Sequence, residues 1–212
     1  MFIVLEGIDG SGKTTQARNL ADFLEGKFGP SSVTCTFEPG GWDGGRAFRD
    51  LATAGDMVSR WGRIFVFMAD RCEHVARVVR PALDEGRIVV CDRYAASTIA
   101  YQVFGDPSAP EGMAECVSRI SSCIDMPEPD LVLLLDVNVE TAERRMMLRG
   151  GMDAYDSKGR DFLEGVRSGY LKQFQSARRG RWELIDASGT PEEVFGIIAA
   201  KVCELLERTV RV

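Results

Sequence analysis

Directly after the apolar run Phe2-Ile3-Val4-Leu5 the chain reads Gly7-Ile8-Asp9-Gly10-Ser11-Gly12-Lys13-Thr14-Thr15, the pattern G-x-x-x-x-G-K-T. This stretch limits the possible folds more than any other. Its glycines let successive backbone N–H groups point inward at the α- and β-phosphates of a nucleotide, which requires a buried strand before the loop and a helix after it. Lys13 then reaches the β- and γ-phosphates, and the Thr14 hydroxyl can ligate Mg²⁺. The positive end of the following helix adds to the attraction. Both flanks are present, since Gln16-Ala17-Arg18-Asn19-Leu20-Ala21-Asp22-Phe23-Leu24 has the apolar spacing of an amphipathic helix.

Further strand-like runs at Val33–Phe37, Ile88–Cys91, Leu131–Leu135 and Glu183–Ile185 alternate with helical patterns near 13–26, 46–54, 60–85, 94–104, 111–124, 139–149, 159–178 and 191–208. Alternation of this kind predicts an α/β fold with a parallel sheet. The runs lack polar alternation, as strands covered by helices on both faces do. The 212 residues suit one domain, with no linker or repeat in view. Gly105–Gly112 and Arg149–Arg160 read as surface loops, the second long enough to form a lid.

A net charge of −6 argues against a surface for nucleic acid. The longest apolar stretches are too short to cross a bilayer, and the N-terminus lacks a basic leader and cleavage site, so a cytoplasmic location is expected. The six cysteines form no C-x-x-C pair and His74 is the only histidine, which suggests buried or idle thiols.

A phosphate cradle alone serves ATPases, GTPases and kinases. The guanine-reading N-K-x-D is absent, but the third strand runs into Asp92-Arg93-Tyr94-Ala95-Ala96-Ser97-Thr98-Ile99-Ala100-Tyr101-Gln102. Strand ends converge on the ligand in sheets of this kind, so Asp92 can act on Mg²⁺ through water and Arg93 can sit between two phosphates. The structural alternatives are a helix cap for Asp92 and a surface ion pair for Arg93.

Taken with Glu6–Gln16, Glu38-Pro39-Gly40-Gly41, Phe67-Met68-Ala69-Asp70-Arg71 and the stretch from Phe162 through Val166-Arg167 to Tyr170-Leu171, the Asp92–Gln102 segment resembles thymidylate kinase (dTMP kinase) of the bacterial type. The resemblance implies a P-loop kinase fold. It is a five-stranded parallel sheet with helices on both faces, in a single nucleoside monophosphate kinase domain over 1–212 with a short lid at about 145–160. The implied reaction moves the γ-phosphoryl group of Mg·ATP to dTMP, with Mg²⁺ held near Thr14 and Asp92 and ATP as co-substrate. Gly7, Ile8, Asp9, Gly10, Ser11, Gly12, Lys13, Thr14 and Thr15 would take the ATP phosphates.

For dTMP, the resemblance implies that Phe67 stacks on thymine and that Arg71, four residues on, hydrogen-bonds its carbonyl edge. Thr98 and Gln102 would help hold the base, Ser97 would cap or make a secondary contact, and Tyr101 would close on the deoxyribose. Asp9 would accept from the sugar 3′-hydroxyl, Arg49 and Arg93 would hold the monophosphate, and Glu38 would sit beside it. An acceptor phosphate has a second pKa of about 6, so no strong general base is needed. Catalysis would rest on Lys13, Asp9, Arg93 and two lid arginines, Arg145 and Arg149, because Gly10 stands where some relatives carry arginine.

Two departures from the family pattern are Ala154 after Asp153, for which Lys158 or Arg160 could compensate, and Phe37 before Glu-Pro. Ile185-Asp186-Ala187-Ser188 resembles a loop that packs on adenine. A deoxynucleoside kinase using Glu38 as base, and a non-catalytic nucleotide-binding protein, are the rival readings. The family also suggests a homodimer through the helices near 60–85 and 94–124.

Overall fold

The computed structural model of the chain describes residues 1–53, 57–149, 159–177 and 181–210. Strands β1 (Phe2–Glu6), β2 (Val33–Phe37), β3 (Ile88–Asp92), β4 (Leu131–Asp136) and β5 (Trp182–Asp186) form one sheet in the order β2-β3-β1-β4-β5. Every neighbouring pair is parallel. Successive side chains of β1 supply two different cores, as a period of two requires. Ile3 and Leu5 pack with residues of α1 (Lys13–Phe28), α7 (Val139–Arg149), α8 (Arg160–Ser176) and α9 (Pro191–Val210). Phe2 and Val4 pack on the other face against Val75, Val79 and Ala82. Both faces are thus covered, which is why the runs in β1, β3 and β4 are apolar throughout.

Four strands extend one residue past their apolar run and end on a carboxylate: Glu6, Asp92, Asp136 and Asp186. The parallel ladder continues there regardless of side chain, pairing Leu5 with Asp92, Phe37 with Asp92 and Asp136 with Asp186. Acidic groups are therefore delivered to the carboxyl edge of the sheet, where ligands bind in open α/β folds. Among the described residues, no helix is long and apolar enough to cross a membrane.

Two segments expected as single helices are interrupted. Over 60–85, α3 (Arg60–His74) passes through a π-helical turn (Val75–Val79) into α4 (Arg80–Asp84). Pro81 explains the widening, because its ring would collide with the Arg77 carbonyl in a regular α-helix. Over 94–104, α5 (Ala95–Ile99) runs into a second π turn (Ala100–Phe104), closed by Gly105 N–H donating to the Ala100 carbonyl at 2.9 Å. This turn lies close against α8, and glycine permits the approach. A Cβ on Gly105 would come within 2.6 Å of Phe162, and one on Gly169 within 2.6–2.7 Å of the Phe104 side chain. Helix α6 (Met113–Ser122) follows, and α2 (Arg46–Thr53) precedes α3.

Gly169→Ala is accordingly expected to lower stability by about 1–3 kcal/mol through overpacking against Phe104, read as a shifted urea midpoint with unchanged slope. An unchanged midpoint would mean that Phe104 turns aside freely.

Candidate active site

A cavity of about 950 Å³ opens at the carboxyl edge of the sheet. One end is walled by Gly10, Gly12, Lys13, Thr14 and Thr15, the other by Phe67, Arg71, Thr98 and Gln102, with Asp9, Arg93 and Tyr101 also on its wall. The lining groups come from the loop after β1 and the start of α1 (Lys13–Phe28), the end of β2, α2, α3, and the end of β3 with the segment that follows it.

At the first end Gly10 has φ +79°, and a Cβ there would run into the backbone of Ala142, 2.9 Å from its Cα and in collision with its carbonyl oxygen. An arginine is therefore sterically excluded at this position without movement of α7. Lys13 is 4% exposed and its Nζ donates to the Ile8 carbonyl at 2.8 Å and to Ser11 Oγ at 3.3 Å. Burial, followed by the nearby Arg93 charge, lowers its pKa from 10.5 to about 8.

The unfolded chain holds that proton up to 10.5 while the folded one releases it near 8, so this group makes stability rise with pH across that window. Polyphosphate binding favours the ammonium form. ATP binding is therefore expected to take up protons at about pH 9 and almost none at about pH 7, measured by titration calorimetry in buffers of differing ionisation enthalpy. Equal uptake at both would show an ordinary lysine.

The Thr14 hydroxyl donates to Asp92 Oδ2 at 2.5 Å. Asp92 Oδ1 is buried and has no hydrogen-bond partner among the described residues. An unpartnered carboxylate oxygen beside a threonine hydroxyl is a donor set suited to a hard divalent cation.

Arg93 links the cradle to the rest of the cavity. It has φ +73°, a conformation that costs a non-glycine residue about 1–3 kcal/mol and collects at functional sites. Its Nη2 pairs with Asp9 Oδ1 and donates to the Tyr101 hydroxyl at 3.1 Å. Its Nη1 donates to the Gly7 carbonyl at 3.1 Å and to Ser97 Oγ and Tyr170 Oη at 3.3 Å. Tyr101 in turn donates to Asp9 Oδ2 at 2.7 Å. An acidic residue inside a phosphate cradle would repel nucleotide, but here Asp9 is matched by a cation and a hydroxyl. Burial lowers the tendency of Arg93 to stay charged, and Asp9 with the neighbouring tyrosines more than reverses this.

Buried Glu6 and Tyr170, with half-buried Ser97, form a layer behind Arg93, of which the sequence identified only Ser97, as a cap or secondary contact. Glu6 Oε1 accepts from Tyr94 N–H at 2.9 Å, so the carboxylate that caps α5 comes from β1. Burial raises the Glu6 pKa above its ordinary value, against the hydrogen bond from Ser97.

At the other end Glu38 is 6% exposed and fully engaged. Oε2 accepts from Arg71 Nε at 2.7 Å, and Oε1 lies 3.0 Å from His74 Nδ1. His74 continues to Thr36 Oγ1 at 2.7 Å, and Thr36 donates to the Gly41 carbonyl at 3.2 Å. Asp70 fastens the same loop, accepting from Gly40 N–H at 2.9 Å and Trp42 Nε1 at 2.8 Å. Arg71 Nη2 donates to Thr98 Oγ1 at 2.9 Å and to the Tyr94 carbonyl at 3.0 Å. Its Nη1, which makes none of these bonds, is the donor left for a ligand beside half-buried Phe67. Thr98 and Gln102 are buried on the same wall. Arg49 is exposed, lines the cavity and lies 6.0 Å from the Phe37 ring centroid, so the phenylalanine that departs from the family pattern supports an arginine here. His74 and Asp70 were missed as loop anchors. The signal available was helical spacing, since both fall on the buried side of α3 with Arg71.

The family model described as Thymidylate kinase matches residues 5–198. The chain belongs to the thymidylate kinase family. It is 35% identical to a thymidylate kinase of Maridesulfovibrio salexigens, with 98% of this chain and 97% of that protein covered. It is 39% identical to a probable thymidylate kinase of Pyrococcus abyssi, covering 95% of each. The crystal structure of thymidylate kinase from Ehrlichia chaffeensis superposes with a TM-score of 0.76 at 28% identity, over 96% of this chain and 98% of that one. The five-stranded parallel sheet is that of the P-loop kinases.

Within this family member the lid arginines fall less simply than their spacing suggested. Arg145 donates to the Ala187, Ser188 and Gly189 carbonyls at 2.8, 3.2 and 3.0 Å, and it is not among the residues lining the cavity. In this structure it secures the loop after β5 rather than facing the cradle, because three carbonyls converge on its planar donor fork. The Arg149 side chain and residues 150–158, including Asp153, Ala154 and Lys158, lie outside the described residues. Arg160 is exposed and pairs with Glu143 at 2.9 Å. The cysteines are free thiols, with Cys91 buried and Cys35, Cys116 and Cys123 exposed.

Proposed function

We infer that this chain catalyses transfer of the γ-phosphoryl group of ATP to dTMP, giving dTDP and ADP. The observation that carries the reading is one cavity joining a phosphate cradle to a pocket lined by an aromatic side chain and a buried arginine, in a chain of the thymidylate kinase family. ATP places its phosphates on Gly7–Thr15, with Lys13 at the β- and γ-phosphates. dTMP enters the other end, with its base between Phe67 and the wall of Arg71, Thr98 and Gln102. Tyr101 and Asp9 meet the sugar, and Arg49 and Arg93 its phosphate.

Thr14 and Asp92 fit Mg²⁺, supported by the partnerless Asp92 Oδ1. When bound, the ion neutralises charge on the donor phosphates. The residues themselves align two phosphates and surround them with fixed cations, and such preorganisation supplies most of the catalysis in phosphoryl transfer.

Action on thymidine with Glu38 as base is not favoured, because both Glu38 oxygens are committed to Arg71 and His74. The protein works in the cytoplasm as a homodimer joined through the helical segments over 60–85 and 94–124. The dimer is supported by the face of α3 where Trp61 stacks on Phe65 at 5.8 Å and Phe65 remains 52% exposed. Light scattering is expected to give twice the 23.4 kDa chain mass, and a single-chain mass would remove this proposal.

The function is tested by ADP release from Mg·ATP with dTMP, thymidine, dUMP or UMP, each alone. Release with dTMP that disappears in Lys13→Ala is expected. Release with thymidine alone would transfer the chain to the deoxynucleoside kinases, and silence with all four would indicate a non-catalytic protein.

A further inference from the structure

Glu6 is 1% exposed and makes no ion pair of its own among the described residues, yet it gathers hydrogen bonds from two separate elements. Oε1 accepts from the Tyr94 and Ser97 amides at 2.9 and 3.3 Å. Oε2 accepts from the Ser97 hydroxyl at 2.7 Å and the Tyr170 hydroxyl at 3.0 Å. Those two hydroxyl oxygens are 2.7 Å apart, and each accepts from Arg93 Nη1 at 3.3 Å. The tyrosine hydroxyl keeps its proton, since burial and then the Glu6 charge push its pKa up.

A helix cap alone would need only the two amides. The hydroxyls have a different use, because each carries one proton and two lone pairs. When both protons are directed to Glu6 Oε2, the lone pairs face Nη1 of Arg93. That arginine stands on left-handed backbone, and its other amino group is paired with Asp9.

We propose that Glu6 and Tyr170 are positioning residues which, with Ser97 as the shared hydroxyl bridge, hold the Arg93 guanidinium between the donor and acceptor phosphates. Glu6 orients the two hydroxyls, and these fix Nη1. The charge of Arg93 is thereby kept as a preorganised part of the site rather than as a mobile arm. The inference rests on the phosphotransfer reading above.

The test is a double-mutant cycle with Tyr170→Phe and Glu6→Gln, each made alone and on Arg93→Ala, with kcat and both KM values measured. Each single change is expected to lower kcat by about 10- to 100-fold, with a smaller rise in either KM. On the Arg93→Ala background the same changes should add almost nothing, as for groups acting through a common residue. Equal fold losses on both backgrounds, or no loss in kcat from the single changes, would overturn the proposal.

Tyr170→Phe keeps the buried ring; should it still fail to fold, Ser97→Ala removes the bridging hydroxyl with little loss of packing. A second readout does not depend on turnover. NMR of the Arg93 guanidinium should show slowly exchanging Nη protons in the native chain and fast exchange in Tyr170→Phe. Fast exchange in both would overturn the proposal. Absence of dTMP-dependent turnover in the native chain, with the guanidinium still ordered by Tyr170, would instead count against the phosphotransfer reading.

Discussion

Arg93→Gly is expected to lower dTMP-dependent ADP formation by about 10³-fold or more, the scale on which a phosphate-bridging arginine acts. Yet it should leave the chain more stable than Arg93→Ala by about 1 kcal/mol. The two effects have separate origins. On the proposed reading, turnover falls because the charge between donor and acceptor disappears and Asp9 loses the guanidinium it pairs with. Stability favours glycine because φ is +73° at this position, where a Cβ is strained. Steady-state assays and urea unfolding of both variants test the pair. Alanine and glycine variants of equal stability would mean that the backbone relaxes once the side chain is removed, and near-native turnover would take Arg93 out of the catalytic apparatus.

Glu38→Ala is expected to cost about 3–5 kcal/mol, a large part of the stability of a domain this size. The carboxylate and its two partners are almost completely enclosed, with side-chain exposures of 4% for Glu38, 3% for Arg71 and 0% for His74. Its removal strands a guanidinium without its counter-ion, and a buried charge without compensation is far costlier than the intact pair is favourable. The loss should extend to function. Arg71 and the Gly40–Trp42 loop would no longer hold their places, and the KM for dTMP should rise much more than that for ATP. Glu38→Gln retains an acceptor and should lie between. A stable Glu38→Ala protein with ordinary dTMP binding would show that Asp70, through Gly40 and Trp42, suffices to hold the loop.

Features of the fold and site that depend on contiguous residues were legible in the sequence. Three of the five strands, β1, β3 and β4, show as unbroken apolar runs, because a sheet covered on both faces demands them, and the glycine spacing of the cradle announced its own strand and helix. Features that depend on distant packing were not. The π turn at Ala100–Phe104 accompanies a close fit of Gly105 and Gly169 with side chains on the facing element, which no local pattern reveals. Glu6 and Asp92 lie just past the apolar runs, so hydrophobicity ended those strands one residue early; Asp92 was still picked out by its place before Arg93, whereas the buried Glu6 carboxylate was given no role. Arg145 had the right helical spacing for a lid arginine, but spacing does not disclose that three carbonyls of the loop after β5 lie within its reach.

The most direct measurement follows the transferred group itself. With ATP labelled at the γ-phosphorus and equimolar dTMP, the account predicts that label leaves ATP only when dTMP is present and is recovered in the terminal phosphate of dTDP, with ADP formed in equal amount. Recovery of the label as inorganic phosphate, or on the 5′-oxygen of added thymidine in preference to dTMP, would contradict it.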